Sequence, residues 1–340
     1  MIAETKGKQV VFFITVLRAL AACLITNAHY TGIYPTDVIA NGGLLGDVIF
    51  FAVSGYCLYN SNHPLSMPGF FRWYGKRIWR VYPPVIIMTI VFMGLGAYSL
   101  TPENGFVWWY VYPTYYHFVG SIIVLYIPYF FIVNINRLRR NIIPILAVIG
   151  TIWILVYCLL YDKTYYHIDT VREPMIRFLF MESMLIGAWF RQNDEKWRNS
   201  FRVIYLVITI LLFFVYIGSK LLFSKKEALS SFQFLNQIAI LALLFFIFLS
   251  ACGLDEKMEM MPSCIKKCIT FISSLTLEIY VVQYVIIEWI RNLVLLFPLN
   301  WLVLTCCILV LAFALHVVCK YMYLGIEKFV KYVYEGGGNT

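Results

Sequence analysis

An arginine and a histidine, Arg18 and His29, lie eleven positions apart in one apolar stretch near the start of the chain. At about 100° per residue, eleven helical steps return almost to the starting direction, and the rise is about 16 Å, half the hydrocarbon thickness of a bilayer. An ionisable side chain in lipid is costly and by default marks a functional site. Two of them on one stripe predict a polar track that enters the membrane, with the histidine suited to proton transfer near neutral pH.

Each of the two residues also has a structural interpretation. Arg18 alone would be a side chain that extends to the cytoplasmic interface. His29 alone would be an interfacial histidine at the far end of the same helix. Both interpretations have to apply together before the polar track disappears.

The composition is that of a membrane protein. Of 340 residues, 61% are hydrophobic and 13% are charged, whereas a soluble domain carries about 25% charged residues. We therefore predict an all-α integral membrane protein, with one transmembrane domain over residues 1–335 and a disordered tail at 336–340. The nine cysteines form no C-x-x-C pair with histidine partners, which argues against a zinc site and a disulfide framework.

Hydropathy predicts about ten transmembrane helices. The apolar stretches are 10–31, 43–60, 82–100, 118–135, 142–161, 174–190, 202–223, 232–252, 269–290 and 299–319. We interpret the first as a retained span, because Arg18 interrupts the apolar region that a cleaved signal needs and the stretch continues past Cys23.

The lysines and arginines indicate the orientation. With a cytoplasmic N-terminus, 19 of them fall in cytoplasmic loops and 6 in the opposite loops, leaving out Arg18 and Arg177 inside spans. The positive-inside rule then puts both termini in the cytoplasm and makes the chain a multi-pass protein of the cell membrane. The net charge of +9 follows from this distribution and does not indicate nucleic-acid binding.

The second apolar stretch carries Asp47 near its outer end and Ser54-Gly55 in its middle. A carboxylate close in depth to His29 would raise the basicity of the imidazole and fix its tautomer. Asp47 is equally a solvated acid at a helix start. Ser54-Gly55 is either a small-residue packing site or a place where a chain-like ligand passes close to the backbone.

A basic, aromatic segment at 72–84 lies on the cytoplasmic side, and Arg77 and Arg80 share a helix face there. Arginine forks bind phosphate in a bidentate manner. The alternative is an anchor on anionic lipid.

Two later stretches contain charges within apolar surroundings. Arg177 and Glu182 indicate a polar helix that faces protein, or an ion pair inside the bundle. Glu278 is costly in a span unless it is paired or functional. The remaining histidines, His316 among them, are interpreted as structural.

These segments together resemble the acyltransferase-3 family of polytopic membrane O-acyltransferases. Arg18 and His29 match its Arg-x10-His motif, and Phe50 to Tyr56 resembles its Phe-Phe-x-x-Ser-Gly-[Phe/Tyr] motif. Residues 76–83 resemble the basic Arg-x-x-Arg-x-x-Pro segment, and 177–187 the Arg-Phe…Gly pattern. Ser274 to Gln283 resembles a Ser-x-x-x-Tyr-Leu-x-His pattern, except that Gln283 stands where histidine is common.

The resemblance implies transfer of an acyl group, commonly acetyl, from cytoplasmic acyl-CoA to a carbohydrate hydroxyl on or beyond the outer face. Acetyl-CoA would be a co-substrate, with no permanently bound cofactor or metal. Arg77 and Arg80 would bind the donor's phosphates, and its pantetheine arm would pass Arg18, Ser54 and Gly55. Arg18, the second catalytic residue beside His29, would orient or neutralise the donor. His29 would be a general base or an acyl carrier, and four further residues would bind substrate or support the site: Asp47, Arg177, Glu278 and Gln283.

Two other classes of function remain open on the sequence. The first is a transporter or flippase of a glycan or lipid intermediate, although paired halves with matched broken helices are not obvious. The second is a membrane sensor or scaffold, which would bind no acyl donor.

Overall fold

The structure is a computed structural model that describes residues 11–60, 63–113, 116–170, 175–291 and 296–336, with side chains as far as residue 328. Over these residues the regular structure is helical and no strand occurs. In chain order the α-helices are α1 (Phe12–Ala28), α2 (Gly43–Leu58), α3 (Met67–Gly94), α4 (His117–Asn134), α5 (Asn136–Arg140), α6 (Ile142–Leu160), α7 (Ile176–Gln192), α8 (Asp194–Trp197), α9 (Val203–Lys225), α10 (Phe234–Gly253), α11 (Asp255–Glu259), α12 (Ser263–Ser274), α13 (Thr276–Arg291) and α14 (Leu299–Gly336). A π-helical turn spans Val107–Val111 and a 3-10 helix Glu227–Phe232.

Six of the described helices are long and apolar enough to cross a membrane: α3, α4, α6, α9, α10 and α14. The pair α12 and α13 passes the same criterion but is bent by 69° at the intervening break, so the number rises to seven if the pair is one span. Helices α1 and α2 are apolar but shorter, with 17 and 16 residues. The protein is therefore a helical, multi-pass membrane protein, whereas the number ten and the orientation of the termini stay predictions.

The helices differ from the predicted spans at the start of α3, at the end of α14 and within the predicted span 269–290, which is broken between α12 and α13. Helix α3 begins at Met67 rather than near residue 82, because Ser66 accepts a hydrogen bond from the Gly69 amide and Pro68 favours a helix start. The basic segment is therefore helical. Gly336, expected to begin a disordered tail, ends α14; residues 337–340 and 1–10 lie outside the described residues.

Glycines allow α2 to lie between α1 and α7. A Cβ added at Gly46 would overlap Ile25 and the Ala21 carbonyl of α1. A Cβ at Gly55 would overlap the Met184 carbonyl of α7. Close helix approach through small residues gives membrane helices the contact area that the hydrophobic effect does not supply in lipid. The three helices form the centre of the bundle and run antiparallel where α1 meets α2.

Two strongly apolar helices, α6 and α9, lie on the outside. In α6 only Ile142, Trp153 and Tyr157 are buried, and in α9 only Tyr216 and Phe223. A helix that is apolar all round and exposed needs an apolar solvent, which the bilayer provides. Their outward faces are therefore lipid-facing.

Candidate functional site

One face of helix α1 carries Arg18, Ala22, Ile25, Thr26 and His29, and we call it the α1 stripe. Its two ends have different surroundings. Arg18 lies in the second turn of the helix, and His29 follows its last residue as the C-cap. Ala22, Ile25 and Thr26 lie between them and line one small cavity. The spacing that predicted a common face is therefore present in the helix.

The histidine end opens onto a cavity of about 410 Å³. The His29 ring is in edge contact with the ring of Tyr284, at a centroid distance of 4.7 Å. Nine residues line this cavity: His29, Ala97, Tyr98, Tyr284, Val285, Ile287, Glu288, Trp289 and Arg291. The imidazole can therefore meet a ligand of substantial size.

The loop after α1 is fixed by an amide that the sequence analysis did not single out. Asn27 donates to the carbonyls of Ile39 and Asn41, at 2.8 and 3.0 Å, and accepts from the Tyr34 hydroxyl at 2.6 Å. This loop carries Gly32, whose φ of +78° favours glycine. Asn27 thereby positions the backbone immediately after His29.

The middle of the stripe is nearly closed. The cavity there has a volume of about 10 Å³, and its other lining residues are Phe50, Phe118, Thr276, Leu277, Ile279 and Tyr280. The Thr26 hydroxyl is buried without a hydrogen-bond partner among the described residues. Tyr280 connects this cavity to the larger one, because its hydroxyl accepts from the Tyr284 hydroxyl at 3.4 Å.

At the opposite end, Arg18 meets the C-terminal end of α2. Its guanidinium donates to the Cys57 sulfur at 3.7 Å. Arg77 lies within electrostatic range of Arg80, Tyr126 and the same Cys57. Cys57 of α2 therefore lies near both Arg18 of α1 and the basic face of α3.

Arg77 has one guanidinium nitrogen without a hydrogen-bond partner among the described residues. Its guanidinium carbon lies 5.5 Å from the Trp73 ring centroid, while its buried Nε has no acceptor among the described residues. Arg80 is exposed. A group of arginines with one unpaired guanidinium donor is suited to binding an anion.

Further arginines surround the same end of α2. Arg191 donates to the Tyr56 hydroxyl at 3.0 Å, and Asp194 pairs with Arg191 at 3.5 Å and with Arg198 at 2.5 Å. A helix C-terminus carries partial negative charge, which stabilises nearby cations. The i,i+3 and i,i+4 spacing around Asp194 was a signal that the sequence analysis did not use.

Gly55 and Ser54 differ from each other in environment. The face of Gly55 that lacks a side chain is filled by the α7 backbone at Met184, and its carbonyl accepts from the Tyr129 hydroxyl at 2.6 Å. These contacts favour the packing interpretation of Gly55. Ser54 is partly exposed.

Asp47 is buried in the second turn of α2, so it is not a solvated acid at a helix start. Among the described residues it makes no hydrogen bond to His29, whose ring neighbour is Tyr284. The carboxylate therefore does not fix the imidazole tautomer in this conformation.

Arg177 and Glu182 do not form the ion pair that the sequence offered as an alternative. Arg177 donates to the Tyr112 hydroxyl at 2.9 Å. Glu182 is buried, and its Oε1 lies 3.3 Å from a Cβ built on Gly150 of α6. The reason is geometric: five helical positions separate side chains by about 140°.

Glu278 and Gln283 have opposite environments in α13. Glu278 Oε1 lies 2.8 Å from the Nδ1 of His316 in α14, so the carboxylate is paired and His316 is not isolated. Gln283 is fully buried, and neither of its amide atoms has a hydrogen-bond partner within the described residues. Within those residues no group of three or more possible metal ligands occurs.

Comparison with known families identifies a match over most of the chain. The acyltransferase-3 family model, described as an acyltransferase domain, matches residues 11–321. No curated protein and no solved structure gives a significant match. The matched range includes both ends of the α1 stripe and the whole of α13.

Proposed function

Because the chain belongs to the acyltransferase-3 family, as its match over residues 11–321 establishes, we propose that it is a membrane O-acyltransferase. It moves an acyl group, most simply acetyl, from cytoplasmic acyl-CoA to a hydroxyl of a cell-surface or exported glycan. The proposal includes a location in the cell membrane and ten membrane segments. It also includes cytoplasmic termini, an orientation that the 19-to-6 distribution of lysine and arginine between the two sets of loops supports.

The observation that carries the proposal is the asymmetry of the α1 stripe. Arg18, at one end, contacts Cys57 beside Arg77, and His29, at the other, lines the larger cavity. A donor rich in phosphate needs the arginines at the first end. A hydroxyl acceptor that must lose a proton needs the imidazole at the second end.

On the donor side, the guanidinium groups bind phosphates of coenzyme A. Arg77 has a donor without an acceptor among the described residues, and Arg80 is exposed beside it. Because α7 fills the free face of Gly55, the pantetheine arm runs along the α1 stripe past Ala22 and Thr26. This route requires the small middle cavity to widen when the donor binds.

On the acceptor side, His29 removes the proton from the attacking hydroxyl. The hydroxyl oxygen forms a bond to the thioester carbon, the carbon–sulfur bond breaks, and the departing thiolate takes up a proton. In the alternative route, the imidazole first accepts the acyl group and then passes it to the hydroxyl. Arg18 neutralises or orients the donor and takes no part in proton transfer.

The other selected residues support the site from a distance. Glu278 connects α13 to α14 through His316, and Arg177 binds Tyr112. The buried carboxyl of Asp47 and the buried amide of Gln283 lie in helices that pack against α1. We assign all four a positioning role.

The direct test uses purified protein in lipid vesicles with labelled acetyl-CoA and glycan acceptors. His29→Ala should abolish transfer of label to the glycan while leaving acetyl-CoA binding intact. Arg77→Ala should weaken donor binding instead. The control is Lys226→Ala, which removes an exposed charge that lines neither cavity. Full transfer by the His29 variant would contradict the assigned base.

One observation favours a transporter as the second candidate. The 69° break between α12 and α13 is the kind of discontinuity that secondary transporters place at their substrate sites. The same vesicles separate the two functions. A flippase moves the glycan across the bilayer and leaves no label on it, whereas an acyltransferase leaves label on the glycan.

A further inference from the structure

The 410 Å³ cavity at His29 has the size of a small-molecule site. Such sites in proteins range from about 300 to 1,000 Å³. Three separate parts of the chain build it: the end of α1 at His29, the residues after α3 at Ala97 and Tyr98, and the last two turns of α13. The side chains there show which ligand chemistry it fits.

The first feature is an exposed aromatic ring. Trp289 lies in the last turn of α13 and remains 43% exposed. Phe92 of α3 contacts it in an edge arrangement, with ring centroids 6.3 Å apart. A tryptophan fixed on one side and open on the other can pack against the C–H surface of a pyranose ring.

The second feature is a charged pair that is neutral as a unit. Arg291 lies 3.2 Å from Glu288, and both side chains are exposed. The guanidinium offers only donors and the carboxylate only acceptors. Adjacent sugar hydroxyls both donate and accept, so two neighbouring hydroxyls match this pair.

The third feature is the direction of the surrounding helices. The C-terminal ends of α1, α3 and α13 all lie at this cavity. A helix C-terminus has carbonyls without intrahelical partners and partial negative charge. This arrangement favours hydroxyl donors and disfavours an anionic ligand.

We propose that this cavity is the acceptor subsite and that it takes an uncharged sugar residue with adjacent free hydroxyls, packed on Trp289 beside His29. The inference rests on the proposed function and adds the residues and the charge class of the acceptor. Trp289, Glu288 and Arg291 bind the sugar, and His29 reaches the hydroxyl that is acylated.

The test compares cells that express the chain with matched cells that lack it. Their glycans are cleaved to short oligosaccharides, and mass spectrometry locates the acyl group on individual residues. The wild-type chain should acylate a neutral hexose or hexosamine. An acyl group found on a uronic acid or another anionic residue overturns the inference, and this readout depends on no variant.

Variants of the aromatic ring provide the second readout. Trp289→Ala should lower glycan acylation about tenfold, the loss of one aromatic contact with the ligand, whereas Trp289→Phe should keep most of it. Labelled acetyl-CoA binding to the purified Trp289→Ala protein should be unchanged. Phe106→Ala, which removes an aromatic side chain that is 66% exposed and does not line the cavity, is the matched control.

The outcomes separate the two proposals. Unchanged acylation by Trp289→Ala overturns the assignment of the cavity and leaves the acyltransferase in place. No acyl group on any glycan of wild-type cells contradicts the proposed function itself, and the inference with it.

Discussion

Gly55 of α2 and Gly187 of α7 lie in reciprocal contact with the opposing helix backbone. A Cβ on Gly55 would overlap the Met184 carbonyl, and a Cβ on Gly187 would overlap the Ala52 carbonyl. Helix α2 also carries Asp47 and meets Arg18 through Cys57. The position of the arginine end of the α1 stripe relative to α7 therefore depends on the absence of a side chain at both glycines.

Replacing either glycine should separate the two helices. We expect Gly187→Ala to destabilise the protein by about 3 kcal/mol or more, because the obstructing atoms are backbone and cannot rotate away. Thermal unfolding in detergent measures this change. The matched control is Gly218→Ala in α9, where nothing lies within 4 Å of the added Cβ; its stability should be unchanged or higher, since alanine favours helix. Equal effects at the two positions would contradict this packing.

The hydrogen bond between Glu278 and His316 should couple α13 to α14. Glu278→Ala leaves the imidazole without its acceptor, so the double variant with His316→Ala should lose less stability than the sum of the single losses. We expect a coupling free energy of about 0.5–3 kcal/mol. A double-mutant cycle on thermal or denaturant unfolding measures it, and additive losses would contradict the coupling.

The buried, unpaired amide of Gln283 should lower the free energy of unfolding of the protein without ligand. Since neither amide atom has a partner among the described residues, Gln283→Met should raise the free energy of unfolding by about 1–3 kcal/mol. The control is Gln237→Met, because Gln237 is equally buried but donates to the Ile168 carbonyl at 2.8 Å; that variant should be less stable.

An activity assay of the same Gln283 variant separates two roles. Loss of acyl transfer together with a gain in stability identifies the amide as a group kept for a ligand or a bound conformation. Retained transfer means that the amide has no part in the reaction. A loss of stability in Gln283→Met would contradict the absence of hydrogen bonds.

Asp255 should stabilise the start of α1 from outside the membrane. Its Oδ1 accepts from the Phe13 amide at 2.8 Å, which is the contact of an N-cap supplied by another segment. Asp255→Ala should therefore cost about 1–2 kcal/mol. Asp255→Asn keeps the acceptor and should cost less, and the exposed Glu256→Ala is the control.

The same residue predicts a pH dependence. Burial raises the pKa of Asp255 above its ordinary value of 3.8, against the opposing effect of the Phe13 hydrogen bond. A carboxyl group whose pKa is higher in the folded state than in the unfolded state contributes its full stability below the unfolded-state pKa. That contribution is lost as pH rises through the folded-state pKa. Asp255→Asn should thus gain stability relative to the wild type as pH rises above 3.8. Parallel pH profiles of the melting temperature would contradict this.

Features set by local spacing were predictable from the sequence. The common face of Arg18 and His29 follows from the helical period, and it is present in α1. The early start of α3 was also readable, since Ser66 and Pro68 form a start signal. Hydropathy alone does not predict this start, because the basic residues of the segment lower its mean hydropathy.

Features that depend on distant segments were not predictable. The Glu278–His316 pair joins residues 38 positions apart, and the cavity at His29 exists because three helix ends meet. The bend after Ser274 occurs without proline or glycine, so no helix-breaking residue in the sequence predicts it. The burial of Asp47 and the hydrogen bond of Arg177 to Tyr112 are likewise set by packing between helices.

The narrow middle of the α1 stripe also limits what can pass along it. A volume of about 10 Å³ is at the lower limit for one water molecule, and the rings of Phe50, Phe118 and Tyr280 form part of its lining. In this conformation the small cavity cannot hold a file of water molecules that joins the arginine end to the cavity at His29. At this point of the stripe, packed side chains separate the charged end from the histidine end.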